Sequence, residues 1–427
     1  MFTLPYLKNA SIEEASINIC GNLKPANLIC RDKEHARKAR CCSINRALPS
    51  EKEAFWFQRR VFLAKAGYSL RPKFHPGFVG PTPPGRYNLG DDHTAQHPRR
   101  HIMDAERISD GQEVMLKWVS RKTHPFEVEI GWLFSTPALA RNPKNHCIPI
   151  LDVLQDPHDE DKQIIVMPRL IRFDEPIFDT VGEVMDCFRQ IFEGIQFMHE
   201  NFVAHRDCSL LNILQDPTKL FPRGFHPVNY CLNPTNDGLA YSITRTECWP
   251  RYYIIDFGLS RRYDPTQGPP LERVVPGGDL NPPEYAGTEC NPFPADIYCL
   301  GNLLKRHFIR SAPSCGGDNH SPLQFLKPLV DDMTHKNPAM RPTIGEVIQR
   351  FNKHCEQLSR WQLRKPGQAL EWNGWFDQVF RQLRNTIKGI APLPSNSKST
   401  PPRALSARMR TFYTKTPRVD EKGLRKY

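Results

Sequence analysis

The chain has no run of 18 apolar residues, so it offers no helix able to cross a membrane. It has no Cys-x-x-Cys pair. Its 13 cysteines are an odd number scattered from Cys20 to Cys355, and only Cys41 and Cys42 are adjacent. That scatter argues against a disulfide framework or a zinc site and for reduced thiols in a cytoplasmic or nuclear setting. The opening stretch MFTLPYLKNASIEEAS lacks a basic start, an apolar run and a small-residue cleavage site, so a secretory leader is not expected. No collagen or coiled-coil period recurs.

What is present suffices for a folded protein: 427 residues, 39% hydrophobic and 24% charged. The formal charge of +12 raises the question of a nucleic-acid partner. Ten Lys/Arg and two Asp/Glu lie between Lys388 and Tyr427, so that tail alone holds +8 and the rest only +4. The excess sits on a tail and not on a folded face, which argues against nucleic acid. Forty prolines, about twice the usual share, cluster at 76–84, 265–283 and 392–402 and mark long loops.

The pattern divides the chain into a weakly ordered extension (1–50), a first lobe with a preceding helix and loop (51–170), a second lobe (171–358), a helical extension (359–387) and a basic, disordered tail (388–427). Within 51–66 a short amphipathic helix is expected, and 67–100 reads as loop. IMDAERI and EVMLKWV flank SDGQ, and Asp110-Gly111 signals a hairpin. Residues 124–139 read as helix. CIPILDVL and QIIVMPRL, separated by PHDEDK, read as two antiparallel strands. Val184, Phe188, Ile191, Ile195 and Met198 then recur at helical spacing, and further helices are expected at 295–308, 322–335 and 343–358. The fold class is therefore α+β, with a small antiparallel β-rich lobe, a linker near 168–175, a larger helical lobe and a cleft between them.

Two short segments carry chemistry. VAHRDCSLLNIL holds His205-Arg206-Asp207 with Asn212 five residues after Asp207. An aspartate there can accept a proton from an attacking hydroxyl, and an asparagine can offer oxygen to a hard cation such as Mg²⁺. YYIIDFGLS puts Asp256 at the end of an apolar run, where a carboxylate is costly unless paired or bound to metal. VMLKWV places Lys117 in an otherwise apolar strand, where it must snorkel or meet an anion.

H-R-D-x-x-x-x-N followed by D-F-G resembles the eukaryotic protein kinase signature. Further pieces match in order: VMLK with Lys117, PPEY with Glu284, ADIYCLG with Asp296 and Gly301, and NPAMRPT with Arg341. Runs such as DAERISDG, NHCIPILDVL and NPFPADIYCLGNL resemble kinase-like proteins found in large numbers in mushroom-forming fungi. The resemblance covers about residues 100 to 358. It implies a two-lobed protein kinase-like fold, ATP and Mg²⁺ as cofactors and a protein substrate, and leaves the oligomeric state open; no membrane partner is expected for want of a spanning run. Lys117 would pair the phosphates of ATP. Its carboxylate partner would come from FEVEIGWLF, which offers Glu127 and Glu129; Glu129 is preferred because Leu133 would then pack inward. Asp207 would be the catalytic base, helped by Lys117 and Asn212. Asn212 and Asp256 would hold Mg²⁺. Met167, Pro168 and Leu170 would line the interlobe hinge beside adenine, and Arg341 would pair with Glu284.

Departures are equally specific. Where the family has G-x-G-x-x-G this chain has QHPRRH, with only scattered Gly77, Gly80, Gly85 and Gly90 upstream. Arg99 and Arg100 are candidate substitutes or simply solvated charge. Ser209 stands where Ser/Thr kinases usually carry lysine. Asn212 and Asp256 are 44 positions apart, which leaves room for an insertion that is either an ordered loop by the cleft or a passive surface loop. The segment from Asp256 to Glu284 has only Ser260, Tyr263 and Thr266 as hydroxyls, so activation without phosphorylation is expected, with Asp279 meeting Arg206. The readings are an active protein kinase, Ser/Thr by default; a pseudokinase scaffold; and a small-molecule phosphotransferase of kinase fold.

Overall fold

The computed structural model describes residues 53–75, 99–235, 238–274, 281–309, 321–367 and 383–394. The chain divides into two compact units, Met1–Ala47 and Leu48–Tyr427, and all described residues belong to the second. The expected 1–50 extension, the four scattered glycines from Gly77 to Gly90, Asp279 and the tail beyond 394 lie outside the described residues.

The architecture is mixed α and β. Helix α1 (Ala54–Ala66) is followed by strand β1 (Tyr68–Ser69), then β2 (Ile102–Arg107) and β3 (Gln112–Ser120). Helix α2 (Glu127–Ser135) separates these from β4 (Asp152–Gln155) and β5 (Lys162–Pro168). The strands form one antiparallel sheet in the order β1-β2-β3-β5-β4. The β2–β3 hairpin closes at Gly111, whose φ of 66° suits a residue without Cβ. Arg107 reinforces the turn by donating from Nε to Asp110 Oδ1 at 2.9 Å.

Both faces of the sheet are covered, which explains why the β5 run QIIVMP is apolar without alternation. Ile164 and Val166 face α1 with Trp56, Leu63, Val114 and Leu116. Ile165 and Met167 point the other way, into the main core with Ile130 and Phe134 of α2. Helix α1 is locked to the end of β4 by Arg59, whose Nε donates to Asp156 Oδ1 at 3.0 Å and to Oδ2 at 2.8 Å. The sheet is compatible with the smaller lobe implied by the kinase resemblance.

After β6 (Ile171–Arg172) the chain becomes mainly helical. Helix α3 (Val181–Glu200) starts at Thr180, whose side chain accepts from Glu183 N. Val184, Phe188, Ile191, Ile195 and Met198 are all buried, each contributing about 1.5–3 kcal/mol of apolar burial. Short strands β7 (Val203–Ala204), β8 (Ile213–Gln215), β9 (Tyr252–Ile254), β10 (Arg261–Arg262), β11 (Glu272–Arg273) and β12 (Glu289–Cys290) follow. Helices α4 (Pro292–Leu304), α5 (Lys327–Met333) and α6 (Ile344–Gln357) pack around α3. The helix expected at 322–335 begins later, at Lys327, because a 3₁₀ turn at Gln324–Leu326 precedes it.

Candidate active site

Lys117 lies in the middle of β3, opposite Ile102 on one side and Ile165 on the other. Val114 and Leu116 face α1, so the pleat turns Lys117 to the opposite side of the sheet. There its Nζ meets Glu127 Oε1 at 2.5 Å and Asp256 Oδ1 at 2.9 Å. The lysine does not snorkel; it bridges two carboxylates brought from α2 and from the end of β9.

The partner is Glu127 and not Glu129, which corrects the expected pairing. Helix α2 begins at Glu127, and residues 127, 130, 131 and 134 fall on one face. All four are buried. Glu129 is turned about 200° from Glu127 around the axis and is exposed. Leu133 does pack against the core, as anticipated, but from the flank of that face. The helix runs close to Phe257: a Cβ on Gly131 would sit 2.5 Å from Ile150 Cδ1 and 3.3 Å from Phe257.

Asp256 and Asn212 are neighbours because β8 and β9 pair, with Ile213 opposite Ile254. The ladder extends one step further, Ile255 N donating to Asn212 O at 3.0 Å. Asp256 follows at once with φ 66°, a left-handed conformation that aspartate tolerates better than most residues. Burial pushes its carboxyl up. The Lys117 charge and hydrogen bond and the Gly258 N–H outweigh burial and hold it at about 2. Glu127 behaves oppositely: burial pushes it up, Asp256 adds to the rise, and Lys117 opposes it. Burial pulls the Lys117 ammonium toward neutrality, and the two carboxylates hold it above its ordinary value.

This donor set fits Mg²⁺. Asp256 supplies a partly exposed carboxylate of which only Oδ1 meets Lys117. The Asn212 amide donates to Asp207 O at 3.0 Å and to Asp207 Oδ2 at 2.8 Å, which leaves its oxygen to accept. Mg²⁺ takes only one or two protein oxygens and fills the rest of its shell with water and phosphate. Among the described residues no group of three or more His, Cys, Asp or Glu could cage a metal unaided.

The loop carrying Asp207 is fixed from below. Asp296, buried in α4, accepts from His205 N at 2.8 Å and from Arg206 N at 2.7 Å. His199 Nε2 lies 3.0 Å from the same carboxylate. Burial pushes Asp296 up, and the His199 contact with these backbone bonds brings it below its ordinary value. The bonds pin Arg206 at φ 68°. Asp207 N in turn donates to His205 Nδ1 at 3.2 Å, and His205 Nε2 lies 3.0 Å from Ile255 O, linking this loop to the Asp256 segment. Neighbouring Cys208 is buried, and burial pushes its thiol well up, so it is inert.

Arg206 reaches into the segment after Asp256. It donates to Leu259 O at 3.2 Å and Arg273 O at 2.7 Å, and lies 3.7 Å from Glu272 Oε2. Glu272 was missed in the sequence because nothing there reveals that β11 pairs with β12 beside Arg206. Glu284 and Arg341 pair as the resemblance implies, Nη1 to Oε1 at 2.6 Å and Nη2 to Oε2 at 2.7 Å. Met167 and Pro168 end β5 opposite Met115 and Val114, and Leu170 packs on the main core.

No protein-family model matches the chain. It is 26% identical over 153 residues to myosin light chain kinase 3 of Homo sapiens, a match covering 36% of this chain and 15% of that protein. It is 26% identical over 242 residues to a light-sensor protein kinase of Ceratodon purpureus, covering 51% of this chain and 17% of the relative. Against serine/threonine-protein kinase CAK1 of Saccharomyces cerevisiae it is 29% identical over 141 residues, covering 31% of each. The chain thus spans less than a third of the length of these relatives. These partial likenesses support a protein kinase-like superfamily.

Proposed function

We propose that the protein is an ATP-dependent protein kinase of two-lobed fold, transferring a phosphoryl group to protein hydroxyls, Ser/Thr by default. The observation that carries the reading is Lys117 held between Glu127 and Asp256, with the Asp256 segment joined to Asn212 by the β8–β9 ladder and Asn212 to Asp207 by its amide. The partial likeness to known protein kinases supports it. So does the Glu284–Arg341 pair, a protein-kinase feature that a small-molecule phosphotransferase does not require. Kinship with the kinase-like proteins of mushroom-forming fungi belongs to the same reading and rests on the runs quoted above.

In this mechanism Lys117 binds the phosphates of ATP, with Glu127 fixing the reach of its ammonium. Asp207, oriented by the Asn212 amide and the braced His205-Arg206 turn, accepts the proton of the acceptor hydroxyl and aligns it for attack. Asn212 and Asp256 would hold Mg²⁺, which supplies charge neutralisation for the phosphates. Backbone groups of Met167, Pro168 and Leu170 border adenine.

A second reading, a nucleotide-binding scaffold without transfer, is favoured by Ser209 and by QHPRRH in place of a glycine-rich loop. Two measurements separate the readings. A thermal shift with ATP and Mg²⁺ that vanishes in Asp256→Asn supports nucleotide binding through metal. Transfer to a peptide library, lost in Asp207→Ala, supports the enzyme; binding without transfer by the wild type sinks it in favour of the scaffold.

A further inference from the structure

The insertion between β8 and β9 touches the linker at several described residues. Arg169, the residue after β5, is buried at 6% exposure. Its Nη2 donates to His226 O at 2.7 Å, its guanidinium lies 3.9 Å from the centre of the Phe225 ring, and its Nη1 meets Glu113 of β3 at 2.7 Å. Two residues on, Ile171 leaves the main core and packs with Leu220, Phe221 and Phe225 of the insertion. Tyr230 packs against the same cluster. At the far end of the insertion Arg245, buried under the Phe178 ring, donates to Phe173 O at 2.9 Å and Ile177 O at 3.2 Å.

Over residues 169–171 the side chains alternate in direction. Leu170 faces the main core, while Arg169 and Ile171 face the insertion. A surface loop without a task does not need two buried guanidiniums, each of which costs desolvation unless its donors are met. We propose that the 217–250 insertion is a splint for the linker, and that Arg169 is the positioning residue through which the splint sets the spacing between the Lys117 sheet and the Asp207 loop. Arg169 joins β3, the linker and the insertion. Its effect on nucleotide binding rests on the kinase reading; its effect on the linker does not.

The test uses the full chain with Arg169→Met, Phe225→Ala and Glu113→Gln, and Tyr241→Ala on the exposed face of the insertion as control. Hydrogen exchange of the amides from 170 to 173 reads the linker, and titration with a non-hydrolysable ATP analogue and Mg²⁺ reads the cleft. Arg169→Met and Phe225→Ala are expected to speed linker exchange roughly tenfold. They weaken analogue binding by more than their loss of melting temperature accounts for, while Tyr241→Ala changes neither. If Arg169→Met fails to fold, Glu113→Gln decides, since that carboxylate is more than half exposed. Unchanged linker exchange in the variants that fold overturns the splint. Faster exchange with unaltered affinity overturns the role of Arg169 in the cleft. A wild type that binds no nucleotide sinks the kinase reading and leaves the exchange result standing.

Discussion

The guanidinium of Arg206 and the carboxylate of Glu272 lie 3.7 Å apart, one on the loop that carries Asp207 and the other on β11. Arg206 is 7% exposed there and Glu272 30%, so the pair is partly shielded from water. An acid built into the sequence thus stands by the arginine without any phosphate. The role was expected of Asp279, which lies outside the described residues. Glu272→Ala is expected to lower peptide phosphorylation about tenfold, equal to ~1.4 kcal/mol, and Thr266→Ala to leave it unchanged. Activity assays on dephosphorylated protein check this. A strong dependence on phosphate at Thr266, with Glu272→Ala silent, would point the other way.

Glu127 and Glu129 give a direct contrast. Glu127→Gln removes the charge that holds Lys117 and is expected to cut transfer at least about tenfold, ~1.4 kcal/mol of barrier. Glu129→Gln, on the exposed side of α2, leaves it unaltered. Steady-state kinetics of the two variants decide between the helix faces.

Asp256 carries a pH prediction. Its folded-state value of about 2 lies below the ordinary 3.8, so its stabilising effect is complete above pH 3.8 and fades as pH falls toward 2. The difference corresponds to about 2 kcal/mol at neutral pH and about half that at pH 3. Chemical denaturation of wild type and Asp256→Asn at pH 7 and pH 3 measures it; a stability gap that widens at pH 3 contradicts the sign.

Glu284 and Arg341 are coupled by burial. Arg341 has a side chain 0% exposed and also donates to His335 O and Pro294 O. Glu284→Ala leaves that cation unmatched, a loss of about 3–5 kcal/mol. The pair Glu284→Met with Arg341→Met is expected to lose less than the sum of the single changes. Melting temperatures of the three variants test the coupling.

Much of this arrangement was legible before folding was considered. The Asp110-Gly111 turn, the β5 run and the α3 face each follow from local conformation or from period. Lys117, Asp207, Asn212 and Asp256 stand out because polar residues sit in apolar strands or in short polar loops. Glu127 against Glu129 was not legible from period, because the answer turns on where α2 begins. A shift of its start by two residues presents a different carboxylate to Lys117.

The side-chain contacts of Arg169, Glu272 and His199 were invisible for a related reason: each acts on groups far away in the chain. The described contacts join Arg169 to residue 226, Arg206 to residue 272 and His199 to residue 296. The order of residues by itself determined the strands, the helices and the types of group available for chemistry, since these depend on neighbours a few positions apart. Which carboxylate meets Lys117, which acid meets Arg206 and what grips the linker were decided only by tertiary packing. Burial removes water as a partner, and each buried charge must then find its counterpart wherever the fold has brought one.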